Sequence, residues 1–224
     1  MTPRYVPLGD LCEITASPSS DLFTGLTVGV TGAPVVTPAD ITDSQRVSPE
    51  TLRRLPEPPP TLARYRLRPN DLVLVRLGGV GRVALLGEGA DDWVYHSSCI
   101  RIRPDADQIN PVYLAAYLAY PPVVDQLLSH VQVGTVPVLT AGSLRSLHVA
   151  LPELNLQTVM AGALTEVGLQ MDIQQRILTR LGSVRQGLFT HMLGNDLPGE
   201  AISRPQPAAR ERKSPRTRRT NRMS

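Results

Sequence analysis

With 224 residues the chain has room for one well-cored domain and an appendage. Two cysteines, Cys12 and Cys99, cannot build a disulfide framework. With no basic-then-apolar leader and no apolar run near about 18 residues, the expectation is a soluble, cytoplasmic protein without membrane contact. The formal net charge of +3 hides a division: eight basic residues and one acid lie between Arg204 and Arg222, leaving 15 basic against 19 acidic residues in 1–203.

Residues 5–45 mix short β-rich runs, "LTVGVTG" and "APVVTPADI", with Gly, Pro, Ser and Asp, which predicts short strands and long loops. "PEPPP" (56–60) reads as an extended spacer. Then "ARYRLRPNDLVLVRL", "RVALLG" and "WVYHSSCIRIRP" follow one another as strands joined by tight connections. Ten of the 15 body arginines fall between Arg46 and Arg103, against six acids, a local basic zone in an acidic body.

Within that run, Gly79 to Ala84 fits the G-x-G-x-x-A variant of a dinucleotide-binding turn. Such a turn must open a helix whose N-terminal amides meet the phosphates. Gly87 and Gly89 follow too soon for the crossover helix, and no Lys-Ser/Thr pair follows Gly81 to make a phosphate loop. The segment is predicted to be a hairpin instead: strand 71–77, glycine turn 78–81, strand 82–86.

Asn110-Pro111 starts a helix, with Asn at the N-cap and Pro at the first helical position. "PVYLAAYLAY" continues until Pro121-Pro122 interrupts it, and "VVDQLLSHV" resumes it. A short helical turn at 141–146 and a strand at 147–151 come next. From Leu154 the pattern changes. Leu156, Met160, Ala163, Val167, Gln170, Gln174, Ile177, Leu181, Val184 and Leu188 recur at steps of four and three, and eight of the ten are apolar. A helix from 154 to 193 would be about 60 Å long. Gly162, Gly168, Gly182 and Gly187 each cost it roughly 1 kcal/mol relative to Ala, so packing against a partner is expected to hold it. The tail from 195, with its prolines and no apolar periodicity, is expected to be disordered and to serve either solubility or non-specific polyanion contact.

No catalytic constellation emerges. "YPPV" (120–123) lacks the Asn or Asp and the trailing aromatic of amino-methyltransferase loops, and no AdoMet-binding glycine motif is present. His96 and Cys99 have metal-like spacing without a second ligand pair. Ser97, Ser98 and His96 lack a third member for nucleophilic catalysis. Tyr113, Tyr117 and Tyr120 form a helical stripe better suited to packing than to base stacking. Neither a cofactor nor a metal is expected.

The motifs in order are "VPLGDLCEIT", "ADIT", "LRPNDLVLVRLGGVGRVALL", "HSSCIRIRPD", "INPVYLAAYL", "VGT" (133–135) and "LTAGSLRSLHVALPELNLQ" running into the long helix. This ordered set, spanning about 5–193, resembles the specificity (S) subunits of Type I restriction–modification systems. The resemblance implies an α+β architecture: a mixed target-recognition domain at 1–152, a long coiled-coil-type helix at 153–194, and a disordered Arg-rich tail at 195–224. It implies a non-catalytic reader of double-stranded DNA that docks a methyltransferase (M) subunit and is joined by a restriction (R) subunit. Full S subunits carry the domain-plus-helix unit twice. This chain carries it once, which suggests a half-size form pairing as a homodimer through its helix.

On that reading, Arg53, Arg54, Arg76, Arg82, Ser98 and Thr135 are the candidate DNA contacts, Arg for guanine edges and Ser or Thr for phosphates. Leu156, Met160, Val167, Ile177, Leu181, Val184 and Leu188 are the candidate helix interface. The other class left open is a protein-interaction adaptor whose tail alone touches nucleic acid.

Overall fold

The computed structural model describes residues 4–16, 18–29, 31–131 and 138–193; the expectations for Thr135 and for the Arg-rich tail lie outside them. In chain order the elements are β1 (Arg4–Pro7), α1 (Leu8–Leu11), β2 (Cys12–Thr15), β3 (Ala33–Val36), β4 (Arg53–Leu55), β5 (Leu72–Val75), β6 (Val83–Leu85), β7 (Val94–Tyr95), β8 (Cys99–Pro104), α2 (Pro111–Ala119), α3 (Pro121–Ser129), α4 (Ala141–Arg145), β9 (His148–Leu151) and α5 (Leu154–Leu193). Short 3-10 turns fill the stretches around β3 and β4. Compact units divide at Met1–Gln175 and Arg176–Ser224, so the first unit takes in the opening turns of α5.

The first unit is organised by the strand that reads "LVLV". All four of its residues are buried, because β5 lies inside an antiparallel sheet of order β2-β8-β5-β6 that is covered on both faces. Alternation along the strand divides its side chains between two cores. Leu72 and Leu74 join Ile14, Ile100, Ile102 and the apolar sides of α1, α2, α3 and α4. Val73 and Val75 join Val35, Val36, Leu62, Val94 and Tyr95, the cluster beneath the second sheet, β4-β3-β7. In that second sheet β3 pairs antiparallel with β4 and parallel with β7. A separate two-stranded pairing, β1 with β9, joins the beginning of the unit to the strand that precedes α5.

The glycine segment is a hairpin, as predicted. Leu72 pairs with Leu85 and Leu74 with Val83, and the Val75 N–H donates to the Arg82 carbonyl at 2.8 Å. Gly78, Gly79 and Gly81 all adopt positive φ. Gly81 has a second reason to be glycine: a Cβ there would stand 2.9 Å from Cγ1 of Val124 on α3.

The helix signals hold as well. The Asn110 side chain accepts the N–H groups of Val112 and Tyr113, capping α2 with Pro111 at its first position. Tyr120 separates α2 from α3, and Thr140 caps α4 by accepting the Ser143 N–H at 3.0 Å. Tyr113 packs and bonds, donating to the Ala150 carbonyl at 2.6 Å, but Tyr120 is exposed between the two helices, so the packing expected of the tyrosine stripe does not extend to it. α5 runs without interruption for 40 residues. Within the first unit it presents Gln157 and Ala161 to the domain, both buried, and its Asp172 pairs with Arg46 at 3.2 Å and accepts from the Ser44 hydroxyl. A Cβ added at Gly162 or Gly168 would meet nothing within 4 Å among the described residues.

Candidate nucleic-acid interface

Strand register brings distant parts of the sequence to one end of the two sheets. Val35 pairs with Val94 in β7 and with Arg53 in β4, and the His96 N–H donates to the Val36 carbonyl at 2.9 Å. Val75 pairs with Cys99, and the Arg76 N–H donates to the Ser98 carbonyl at 2.9 Å. The chain therefore leaves β3, β5 and β7 and enters β6 and β8 at this same end. Arg53, the loop after β3, the turn His96–Ser98, Arg76 and the glycine turn with Arg82 gather there.

Four of the six predicted DNA contacts meet at this end. Arg53 is exposed. Arg76 is half-buried, its Nε donating to the Leu139 carbonyl at 3.3 Å and its Nη1 to the Ser97 carbonyl at 3.2 Å. Arg82 reaches across to the loop after β3, bonding the carbonyls of Pro38 and Ile41. Ser98 closes the β7–β8 turn, its N–H donating to Nδ1 of His96 at 3.2 Å. Arg54 is engaged elsewhere: it exchanges backbone bonds with Thr27, and its guanidinium holds the Gly32 carbonyl at 2.9 Å. Thr135 lies outside the described residues.

The basic zone read from the sequence is thus two populations. Away from this end three arginines meet carboxylates, Arg66 with Asp92 at 2.8 Å, Arg101 with Glu13 at 2.5 Å and Arg103 with Asp71 at 2.7 Å, while Arg54 holds the Gly32 carbonyl. At the gathered end Arg76 and Arg82 are held by main-chain carbonyls. A carbonyl fixes a guanidinium without cancelling its charge, and two bonds of five possible leave three N–H donors for a ligand. These are pre-positioned cations.

Sequence reasoning missed two residues. Arg101 is 4% exposed, pairs with Glu13 and also bonds Thr15 and the Arg64 and Arg66 carbonyls; nothing in the pattern of β8 marks it as buried. His96, which the sequence excludes as a metal ligand or catalytic base, is the other. It stands half-buried against Phe23, ring centroids 5.0 Å apart, and burial first, then the Arg53 charge, holds its pKa below the ordinary imidazole value. Both thiols are buried. Burial, reinforced by Asp105 at Cys12 and by Asp40 at Cys99, pushes both to about 12.

A second candidate surface lies on α5. In the first unit Leu156 and Met160 of the predicted seam, each one position before the buried Gln157 and Ala161, are exposed, as is Val167. In the second unit Ile177, Leu181, Val184 and Leu188 are each more than half exposed. An apolar stripe of this kind asks for a partner.

Residues 4–182 match a family described as the Type I restriction modification DNA specificity domain. No curated protein matches the chain. Among solved structures it is similar to the HsdS subunit from Thermoanaerobacter tengcongensis, at 21% identity and a TM-score of 0.54, covering 87% of this chain and 45% of that one. The S subunit of a Type I restriction–modification system from M. genitalium matches at 14% identity and a TM-score of 0.58, over 84% of this chain and 44% of that one. A chain from a structure on complex assembly and conformational transition of the type I R-M system matches at 20% identity and a TM-score of 0.56, over 87% and 46%. This chain spans less than half the length of each, and at these identities the likeness is one of fold.

Proposed function

The chain belongs to the Type I restriction–modification DNA-specificity family, and on that premise we propose that it is the non-catalytic subunit that selects the DNA target for a methyltransferase subunit and a restriction subunit. The observation that carries the proposal is the end of the two sheets where Arg53, Arg76, Arg82 and the His96–Ser98 turn converge, with the guanidinium groups of Arg76 and Arg82 bound to carbonyls rather than to carboxylates. Fixed, unneutralised donors suit phosphate and base-edge contact. The family supports this reading over an adaptor whose tail alone meets nucleic acid.

The exposed seam supports the assembly half of the proposal. Leu156, Met160 and Val167, then Ile177, Leu181, Val184 and Leu188, offer a strip for a second copy of this chain or for the methyltransferase subunit. Two copies joined through the helix would present two reading domains to a two-part, symmetric site. The test combines the purified chain with its methyltransferase subunit on cognate and scrambled duplexes. Methylation of one sequence only when both proteins are present is the expected result. Methyl transfer by this chain alone, or equal affinity of the complex for all duplexes, would overturn it.

A further inference from the structure

We infer that His96 reads a base: its Nε2–H donates to an acceptor on a base edge in the major groove, beside the phosphate contacts made by its arginine neighbours. This rests on the DNA-reading function proposed above and names a residue that the arginine argument does not include. The tautomer follows from geometry. The Ser98 N–H donates to Nδ1 at 3.2 Å, so Nδ1 is an acceptor and the ring proton sits on Nε2. The Ser98 hydroxyl lies 3.2 Å from the same nitrogen. Among the described residues the one buried side-chain nitrogen or oxygen without a partner is Nε of Arg101. His96 Nε2 has no partner among them either, so it is open to solvent.

The ring is also held still. Its own backbone N–H is tied to Val36, its carbonyl accepts the Cys99 N–H at 2.9 Å, and the Phe23 ring backs the imidazole. The turn is fixed from the other side by Arg76, which bonds the carbonyls of Ser97 and Ser98. A base contact needs a donor held in a fixed place on a rigid element, whereas a phosphate contact needs chiefly charge. A neutral imidazole between Arg53 and Arg76 supplies the first and leaves the second to the arginines. Guanine O6 and N7, adenine N7 and thymine O4 are the acceptors within the chemistry of one N–H.

The experiment is selection from a randomised duplex pool by the full chain bound to its methyltransferase subunit, comparing wild type with His96→Ala and His96→Gln, each checked by thermal melting. Wild type should select a motif. Both variants should lose the preference at one or two adjacent base pairs and keep the rest. Affinity for the wild-type site should fall roughly five- to tenfold, the lower end of what a base contact contributes, with the salt dependence unchanged. Should His96→Ala fail to fold, His96→Gln decides, and its preference at those base pairs must differ from wild type. Variants that select the wild-type motif, or that bind every duplex equally more weakly as a lost phosphate contact would, overturn the inference alone. A wild-type complex that selects no motif overturns it together with the reading function.

Discussion

Gln157 joins the long helix to the start of α2 through Asn110: its Oε1 accepts the Asn110 backbone N–H at 2.8 Å while its Nε2 donates to the Pro152 carbonyl, also at 2.8 Å. The side chain has no solvent exposure. Asn110 is itself the N-cap of α2, so its side chain serves the helix in front of it and its backbone is served by the helix that comes later. One buried amide therefore ties the first turn of α5 to α2 and to the end of β9.

Replacing Gln157 with Ala would take the partner from the part-buried Asn110 N–H and Pro152 carbonyl. The expected loss is about 1–3 kcal/mol, read as a lower urea midpoint for the full chain. A Gln157→Ala protein as stable as wild type would show that water or a shifted helix replaces the amide.

That residue also shows what could and could not be read beforehand. Gln157 is the last position of "LPELNLQ", the segment on which the family resemblance leans most, but a glutamine before an apolar seam announces no burial. The caps, the hairpin and the 40-residue helix were legible because each is a local signal: Asn110-Pro111, three glycines in a turn, a sustained step of four and three. The parallel pairing of β3 with β7 was not, since Val35 and its partner Val94 stand 59 positions apart and no local pattern encodes the partner. With that pairing went the gathering of Arg53, His96 and Arg76 at one end. The arginine zone was legible as composition; its division into carboxylate-paired and carbonyl-held groups depends on which acids the fold brings near.

That division makes a contrast available. Asp71 is 1% exposed and accepts Nε and Nη2 of Arg103, each at 2.7 Å, together with the Arg68 N–H at 2.9 Å. Asp71→Asn should cost about 2–3 kcal/mol of stability, because a partly buried guanidinium loses its counter-ion, yet leave the salt dependence of DNA binding as it was. Arg53→Ala should do the opposite, with melting unchanged and the salt slope smaller by about one. Measuring melting and salt-dependent binding on both variants checks the pair. Loss of DNA binding by a folded Asp71→Asn protein would place the interface at the wrong end of the sheets.

Acid should act through Glu13. Burial raises its pKa, but the charge of Arg101, the Thr15 hydroxyl and Arg103 outweigh burial and hold it below the ordinary glutamate value. A carboxyl depressed in the folded state contributes stability above its unfolded pKa, about 4.3, and that contribution disappears as pH falls through the folded value. Glu13→Gln should therefore be less stable than wild type at pH 7 and should lose less on going from about pH 5 downward. Urea midpoints along a pH series decide it: curves that stay parallel would mean that Glu13 does not support the buried Arg101.

Assembly should depend on the seam. Ile177 and Leu181 are exposed and belong to the second unit. Ile177→Asp with Leu181→Asp should abolish self-association and methyltransferase docking while the thermal transition of the domain is retained. Sedimentation of wild type and variant, alone and mixed with the methyltransferase subunit, gives the answer. A wild type that stays monomeric in both conditions would remove the seam from the assembly.

The Arg-rich tail should supply affinity without choice. Eight basic residues and one acid between Arg204 and Arg222 can meet phosphates, and such contacts release counter-ions, so each weakens steeply with salt and none senses sequence. Truncation after Ser203 should then lower affinity for cognate and scrambled duplexes alike and flatten the dependence on salt, by up to roughly 0.9 in slope for each phosphate contact removed. Arg82 presents the contrary case. Its guanidinium bridges from the glycine turn to the Pro38 and Ile41 carbonyls and keeps donors in hand. If it faces a base, Arg82→Ala should cost about 1–3 kcal/mol at the cognate site and relax the preference there, with little effect on scrambled DNA. Binding of both duplexes at several salt concentrations, with the methyltransferase subunit present, separates the two. Loss of the cognate preference on truncation, together with its survival in Arg82→Ala, would make the tail the reader and return the domain to the role of a protein adaptor.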